Sequence, residues 1–407
     1  MPTQQVRPKT TPIEVTFGIE LELAIASVPD QFLDPQPDDP RRVHGITRPE
    51  DFNPKDFLPY IDLPQKENGV QRGWSLEWEA QFNALKRNIA KLLTNNGLPA
   101  VADCDYRDPV EFSSDPKIDD LKFWIISMDM TIMHGPGEPS NPIYWYWPVE
   151  IQSPAYIYNE ENIQKVRDVL QSIDKVYRTH CDSSASIHIH IGNGQKGFDL
   201  RTIRNFMAFV WTFEEQIATI HPPHYMTDQA FSKPVSTHSL LAFTSQVARS
   251  EIELTEDREN QLKDHDKNYV IDSIMKIESI DDAVELLSNP ELKTNRLAER
   301  LTYSICNLES GREKVKKTIE FRQHQSTLDD EEVYHWITVC RSLVYMTSVV
   351  DEEDLIEFCK KYINETVEEF SITEVLMAIN LPVQAYYYGV RAVVEKHQKK
   401  EEERKQQ

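Results

Sequence analysis

Residues 13–25 alternate without a break. Ile13, Val15, Phe17, Ile19, Leu21, Leu23 and Ile25 take one side, and Glu14, Thr16, Gly18, Glu20, Glu22 and Ala24 take the other. Successive side chains of a β-strand point to opposite faces, so the order predicts a strand with one apolar face. Glu20 and Glu22 then share the other face, about 7 Å apart. Taken alone, the pattern also describes the solvated side of an antiparallel sheet.

The same design recurs along the chain. Val149 and Ile151 flank Glu150; Ile187, Ile189 and Ile191 flank His188 and His190; Ile319 and Phe321 flank Glu320, with Arg322 next on its side. In the stretch 124–129, Trp124, Ile126 and Met128 oppose Asp129. A solvated face would use Lys, Thr, Ser and Gln freely, whereas these faces show metal ligands and phosphate binders. If the strands are neighbours, Glu20, Glu22, Asp129, Glu150 and Glu320 repel one another unless cations sit between them. Carboxylate oxygens suit Mg²⁺ or Mn²⁺, and an imidazole among them is best tolerated by Mn²⁺. Arg322 offers a planar fork for a phosphoryl group or a carboxylate. These are parts for phosphoryl transfer, where catalysis is mostly positioning and charge neutralisation. Singly, E-x-E is common, H-x-H describes a metal pair or a packed pair equally well, and E-x-R is often a structural ion pair. The argument rests on their combination, and on the strands lying side by side.

Composition narrows the ligands. Of 407 residues, 67 are acidic and 44 basic, a formal net charge of −23. Such a chain has no bulk attraction for nucleic acid or an anionic membrane, so neither is expected as a partner. Phosphates would need local cations. The five cysteines are scattered, with no C-x-x-C pair, which predicts reduced thiols in a cytoplasmic setting. No apolar leader is visible in residues 1–12, and no apolar run of spanning length occurs.

Eight prolines between Pro29 and Pro64 predict a long loop or insertion. Apolar residues at helical spacing predict helices over 74–93, over 161–179, and after Asp199, an N-cap. His221-Pro222 closes the third, and a fourth helix is expected after Asp329. Residues 221–300 are charge-mixed and read as loops and short helices. The last 50 residues read as helical, with a charged tail from Glu395 to Gln407 that reads as a solvated helix.

Taken together, the motifs resemble the amidoligase family of the glutamine synthetase-like carboxylate–amine ligases. The matching pieces are residues 17–22 (FGIELE), 124–129 (WIISMD), 149–154 (VEIQSP), 187–192 (IHIHIG) and 318–324 (TIEFRQH), followed by Thr327-Leu328-Asp329. Asn307 also fits, and the last motif is the most specific. The resemblance implies an α+β protein: a curved antiparallel sheet of the glutamine synthetase-like catalytic fold, helices on its outer face, and a C-terminal helical segment. It places a catalytic domain at 13–350, with 29–115 as a variable insertion, and the helical segment at 351–407. It implies an ATP-dependent ligase that joins a small-molecule or peptide carboxylate to an amine through an acyl phosphate, with Mg²⁺ or Mn²⁺. Carried over position by position, Glu20, His188 and Glu320 would hold the metal bridging the ATP phosphates. Glu22 and Glu150 would hold the metal nearer the acceptor carboxylate, with Asp129 assisting. Arg322 would steady the transferred phosphoryl, and Arg300 and His190 join it as nucleotide contacts. One departure stands out: Ala185-Ser186 occupies the place of the family's Cys-Gly before the first histidine of H-x-H.

Other features read as structural. His324 reads as a packed histidine, and Arg296 and Lys317 as solvated charges. The Gly-rich stretch 192–197 lacks the order of a phosphate loop and reads as a turn. Tyr144 to Trp147 read as core aromatics. Two rival functions stay open on the residues alone: a metal-dependent hydrolase, and a non-catalytic binding protein of the same fold. Arg322 beside Glu320 favours the ligase, since a hydrolase needs no phosphoryl clamp. Oligomeric state is open.

Overall fold

The structure is a computed structural model. It describes residues 13–29, 32–46, 76–106, 122–132, 135–136, 144–181, 183–194, 196–222, 232–242, 267–288, 301–311 and 316–406. Arg296, Arg300, His224 and His265 lie outside these residues. The fold is mixed α+β, and its chain divides into two compact units. The N-terminal unit comprises Gly18–His188 with His324–Tyr334; the C-terminal unit comprises Ile189–Gln323 and His335–Gln407, with the residues up to Phe17.

In the N-terminal unit the strands are β1 (Thr16–Pro29), β2 (His44–Ile46), β3 (Ala100–Ala102), β4 (Trp124–Met128), β5 (Gly135–Pro136), β6 (Trp145–Gln152), β7 (Tyr156–Ile157), β8 (Thr179–His180) and the start of β9 (Ser186–Gly192). Their sheet runs β9-β1-β6-β4-β3. The β1·β6, β4·β6, β5·β6 and β1·β8 pairs are antiparallel, and β1·β2 and β3·β4 are parallel. The β1·β6 register sets Glu22 opposite Glu150 and Glu20 opposite Gln152. The β4·β6 register sets Ser127 opposite Glu150.

The apolar residues predicted for one face of β1 are buried, from Val15 to Ile25. Glu22, Ala24 and Ala26 on its other face are buried too, so this part of β1 is covered on both sides. Strand pairing runs on to Pro29 beyond the predicted alternation, because the small residues Ala24 and Ala26 fit under a cover. Helix α1 (Leu76–Asn95) turns Phe82, Leu85 and Ile89 inward, and residues 74 and 75 of the expected helix lie outside the described residues. Phe82 stacks on Trp147 at 5.2 Å, which makes the Tyr144–Trp147 aromatics core, as read. Helix α2 (Glu160–Val176) is capped by Asn159, whose side chain accepts from Asn162 N, and buries the predicted stripe Ile163, Val166, Val169, Leu170 and Ile173.

Part of the proline-rich stretch is ordered by one cation. Arg178 is 5% exposed and donates through Nη2 to the carbonyls of Gln36, Asp39 and Arg41, each at 3.2 Å. Its Nη1 meets Asp34 at 2.7 Å and the Tyr144 hydroxyl. A guanidinium presents five donors in a fixed plane, so one side chain can hold a loop that has no ladder of its own.

The C-terminal unit holds β10 (Tyr303–Ser304) and β11 (Thr318–Gln325) up to Gln323, in the order β10-β11-β9, with β10·β11 antiparallel. Helix α3 (Leu200–Ala218) starts at Asp199, whose carboxylate accepts from Thr202 N, the predicted cap. Helix α4 (Asp330–Val349) follows Asp329 as expected. Phe206, Tyr303, Phe321 and Trp336 pack edge to face at 5.5–6.1 Å and form the centre of this core. Residues 221–300 contribute short helices at Val235–His238, Lys267–Met275 and Ile280–Leu286. Helices α5 (Glu352–Tyr362), α6 (Ile372–Ala378) and α7 (Pro382–Gln406) complete the unit. No disulfide forms, and no helix among the described residues is long and apolar enough to cross a membrane.

Removing a buried charge from the loop it ties leaves several acceptors unsatisfied. Arg178→Met is expected to lower unfolding free energy by about 3 kcal/mol and to expose the 34–41 loop to trypsin. Denaturant titration and limited proteolysis check both.

Candidate metal and phosphoryl site

Three predicted acids of the N-terminal unit converge. One carboxylate oxygen each from Glu22, Asp129 and Glu150 lie within 4.8 Å of one another. Glu22 and Glu150 meet because β1 and β6 place them directly opposite. Asp129 arrives from just beyond β4, which ends at Met128, so it sits one residue past the strand that was expected to contain it. Asp129 is held by Thr131, whose N–H and hydroxyl donate to Oδ1 at 2.6 and 2.7 Å. Glu22 is 2% exposed, which rules out a solvated strand face there.

The polar neighbours define where each carboxylate points. Ser127 Oγ and Gln152 Nε2 both donate to Glu150 Oε2, at 2.9 and 2.7 Å. Ser186 N donates to Glu22 Oε2 at 2.8 Å. His188 lies between two acids, with Nδ1 at 3.2 Å from Glu20 and Nε2 at 3.4 Å from Glu22. Ser127 and Gln152 were not singled out by sequence reasoning. Gln152 was detectable, since it sits two residues from Glu150 and so on its face; Ser127 needed the register.

Charge decides what such a site is for. At an effective dielectric near 20, two carboxylates about 5 Å apart repel by about 3 kcal/mol. Enclosure of the Glu150 carboxyl pushes its pKa up, the charges of Glu20 and Asp129 push it further, and the Ser127 and Gln152 bonds only partly offset this, leaving it at about 8. Protonation is one relief, and a cation is the other. Oxygens across one ion lie about 4.2 Å apart for Mg²⁺ and up to about 5 Å for Ca²⁺. The 4.8 Å cluster therefore fits a single hard divalent cation, with a small inward movement for Mg²⁺ or Mn²⁺.

In the C-terminal unit Glu320 is buried and ion-paired through Oε1 to Arg322 Nη1, and Arg322 N donates to Thr302 O at 2.9 Å. His190 Nδ1 meets Thr318 Oγ1 at 3.0 Å, and Asn307 Nδ2 donates to the same oxygen at 3.4 Å. Alternation along β11 places Thr318, Glu320 and Arg322 on one side. Gly192 ends β9 where a Cβ would come within 2.9 Å of Thr16 Oγ1, so this position is reserved for glycine. His324, in the N-terminal unit, binds Gln325 O at 2.7 Å and faces Glu332 at 3.5 Å, consistent with a packed histidine. Lys317 Nζ reaches the carbonyl of Glu309, at 3.5 Å.

Fold and site thus define a mixed α+β protein whose mostly antiparallel strands present enclosed carboxylates suited to a divalent cation. The profile of the family described as "Putative amidoligase enzyme" matches residues 93–344, more than half of the chain, and the chain belongs to that family. Membership points to ligase chemistry. The matched range contains Asp129, Glu150, His188, His190, Glu320 and Arg322 but begins after β1, so Glu20 and Glu22 lie outside it. No curated protein and no solved structure matches the chain.

The raised pKa of Glu150 has a signed consequence. Between the ordinary carboxyl value and about 8 the folded chain holds a proton that the unfolded chain has lost. Stability without divalent cations is therefore expected to fall as pH rises from about 5 to about 8. Mn²⁺ or Mg²⁺ should restore it at the upper end, with proton release. Glu150→Gln should flatten the pH dependence and remove the cation-induced rise in Tm, read by thermal unfolding across pH.

Proposed function

We propose that this chain is an ATP-dependent ligase that joins a carboxylate to an amine through an acyl phosphate, and that its strands form the glutamine synthetase-like catalytic sheet. The observation that supports this most is the convergence of Glu22, Asp129 and Glu150 in a member of the amidoligase family. Glu22, Asp129 and Glu150 are the donors for one divalent cation, Mg²⁺ or Mn²⁺. Glu20 and His188 of the N-terminal unit, and Glu320 of the C-terminal unit, are the further donors for the cations that accompany ATP. When bound, these cations neutralise phosphate charge and orient the acceptor carboxylate.

The residues then have separable tasks. Arg322 binds the transferring phosphoryl group, and Glu320 fixes the plane of its guanidinium. His190, held through Nδ1 by Thr318, contributes a nucleotide contact. Ser127 and Gln152 keep Glu150 Oε2 engaged, which leaves Oε1 as its donor oxygen. A substrate carboxylate oxygen attacks the γ-phosphorus and the bond to the ADP oxygen breaks. The amine nitrogen then attacks the acyl carbon, the acyl–phosphate bond breaks, phosphate leaves, and the amine proton passes to phosphate or solvent. The substrates are small-molecule or peptide carboxylates and amines, without nucleic acid or membrane partners, in a cytoplasmic, thiol-reducing setting.

ADP release should require ATP, Mg²⁺ or Mn²⁺, a carboxylate and an amine together, screened over amino acids, peptides and polyamines. Glu320→Gln and Arg322→Ala should each lower kcat by about 100-fold or more. Undiminished ADP formation by Glu320→Gln would overturn the reading, and metal-dependent amide cleavage without ATP would establish a hydrolase instead.

A further inference from the structure

The N-terminal unit carries a cavity of about 440 Å³ between α1, β2 and the end of α2, a volume in the range of small-molecule sites. Its polar lining is Arg42, Asn88, Lys91 and Asn95. It lies on the helix side of the sheet. Phe82 of α1 stacks on Trp147, and alternation along β6 puts Trp147 on the face opposite Glu150. The cavity is therefore separate from the cluster of Glu22, Asp129 and Glu150.

Charge sets this cavity apart. The chain carries a formal net charge of −23, yet no carboxylate among the described residues lines it. The cations around it have acid partners: Arg41 pairs with Asp39, Lys86 with Asp103, Arg87 with Asp105, and Arg178 with Asp34. Arg42 and Lys91 form no ion pair among the described residues, and the Asn88 and Asn95 side chains no hydrogen bond. Asn88, Lys91 and Asn95 follow at steps of three and four, so α1 presents them on one face, with Arg42 entering from the chain before β2. Burial pushes the Tyr177 hydroxyl up to about 12, and the positive charge of Arg42 pulls it back, which places that charge beside the Tyr177 wall.

We infer that this cavity binds a small phosphomonoester. Such a group carries about −1.5 to −2 charges at pH 7, which matches two cations that have no acid of their own. Its three terminal oxygens can take the Arg42 fork and still reach Lys91 and a carboxamide donor, whereas a carboxylate has only two. The space exceeds what phosphate alone fills, and Val43, Leu92 and Val176 line the remainder, so the ligand brings an organic body with an apolar side. The inference does not depend on the ligase reading, because the acids of that site lie on the other face of the sheet.

Ligand-observed NMR titration of the full chain with phenyl phosphate, at low ionic strength in EDTA, should show saturable binding with Kd about 1 mM or tighter. Without divalent cations the acid cluster repels phosphate, so that site does not contribute. Inorganic phosphate should bind at least about threefold more weakly for want of apolar contact. Succinate should bind at least about tenfold more weakly. Arg42→Ala with Lys91→Ala should weaken phenyl phosphate at least about tenfold, with near-UV circular dichroism unchanged because both side chains are exposed. Lys196→Ala, an exposed cation of the C-terminal unit, should leave binding as it is. No saturation up to about 10 mM, succinate binding as tightly as phenyl phosphate, or undiminished binding by the double variant overturns the inference.

Discussion

Repulsion among enclosed carboxylates is the constraint on which the rest turns. Glu22, Asp129 and Glu150 would each be at ease in water, yet the fold removes most of it and brings their oxygens within 4.8 Å. At about 3 kcal/mol for each pair, the penalty is of the order of a domain's whole net stability. A fold that retains such a cluster must be neutralised there. The hydrogen bonds around the cluster are directional: Ser127 and Gln152 engage one oxygen of Glu150, Thr131 one of Asp129, and Ser186 one of Glu22. Glu150 and Asp129 are each oriented through one oxygen, and Glu22 through both, with Ser186 N on Oε2 and His188 Nε2 3.4 Å from Oε1. That is how a preorganised ligand shell is built, with orientation fixed by second partners.

Much of this was legible in the sequence, for a physical reason. A strand with period-two alternation announces both its apolar face and what lies opposite, so β1, β6, β9 and β11 and their acids and histidines could be read from order alone. The cap at Asp199 was readable because a short carboxylate before a helical stripe has few better uses. What order cannot supply is register. That Glu22 faces Glu150 directly, or that Ser127 reaches Glu150, depends on which strands pair and at what offset. Arg178 was invisible for the same reason: its partners lie more than 130 residues away in a stretch with no periodicity.

Geometry and family membership contribute different parts. The family match begins at residue 93 and so does not reach β1, although β1 supplies Glu22. The cross-strand pairing does the joining: Glu150 lies in the matched range, and the β1·β6 ladder places Glu22 opposite it. A one-residue slip of β1 would turn Glu22 to the apolar side and Leu21 or Leu23 to the acids. Val15, Phe17, Ile19, Leu21, Leu23 and Ile25 are all buried, so that slip is strongly opposed, and the core of β1 is what keeps the acid in place.

The Ala185-Ser186 departure from the family pattern is explained by the same division between backbone and side chain. Ser186 serves Glu22 through its backbone N–H, and Ala185 through its carbonyl, which accepts from Ser326 N at 3.0 Å. Ser326 in turn donates its hydroxyl to the Glu22 carbonyl. Both contacts use main-chain atoms that any non-proline residue carries, so neither depends on the side chain at position 185 or 186. The difference falls instead on the volume beside it: a serine side chain occupies space where glycine had none, and it is buried there. The substitution therefore bears on what fits next to the acids and leaves their own placement unaltered.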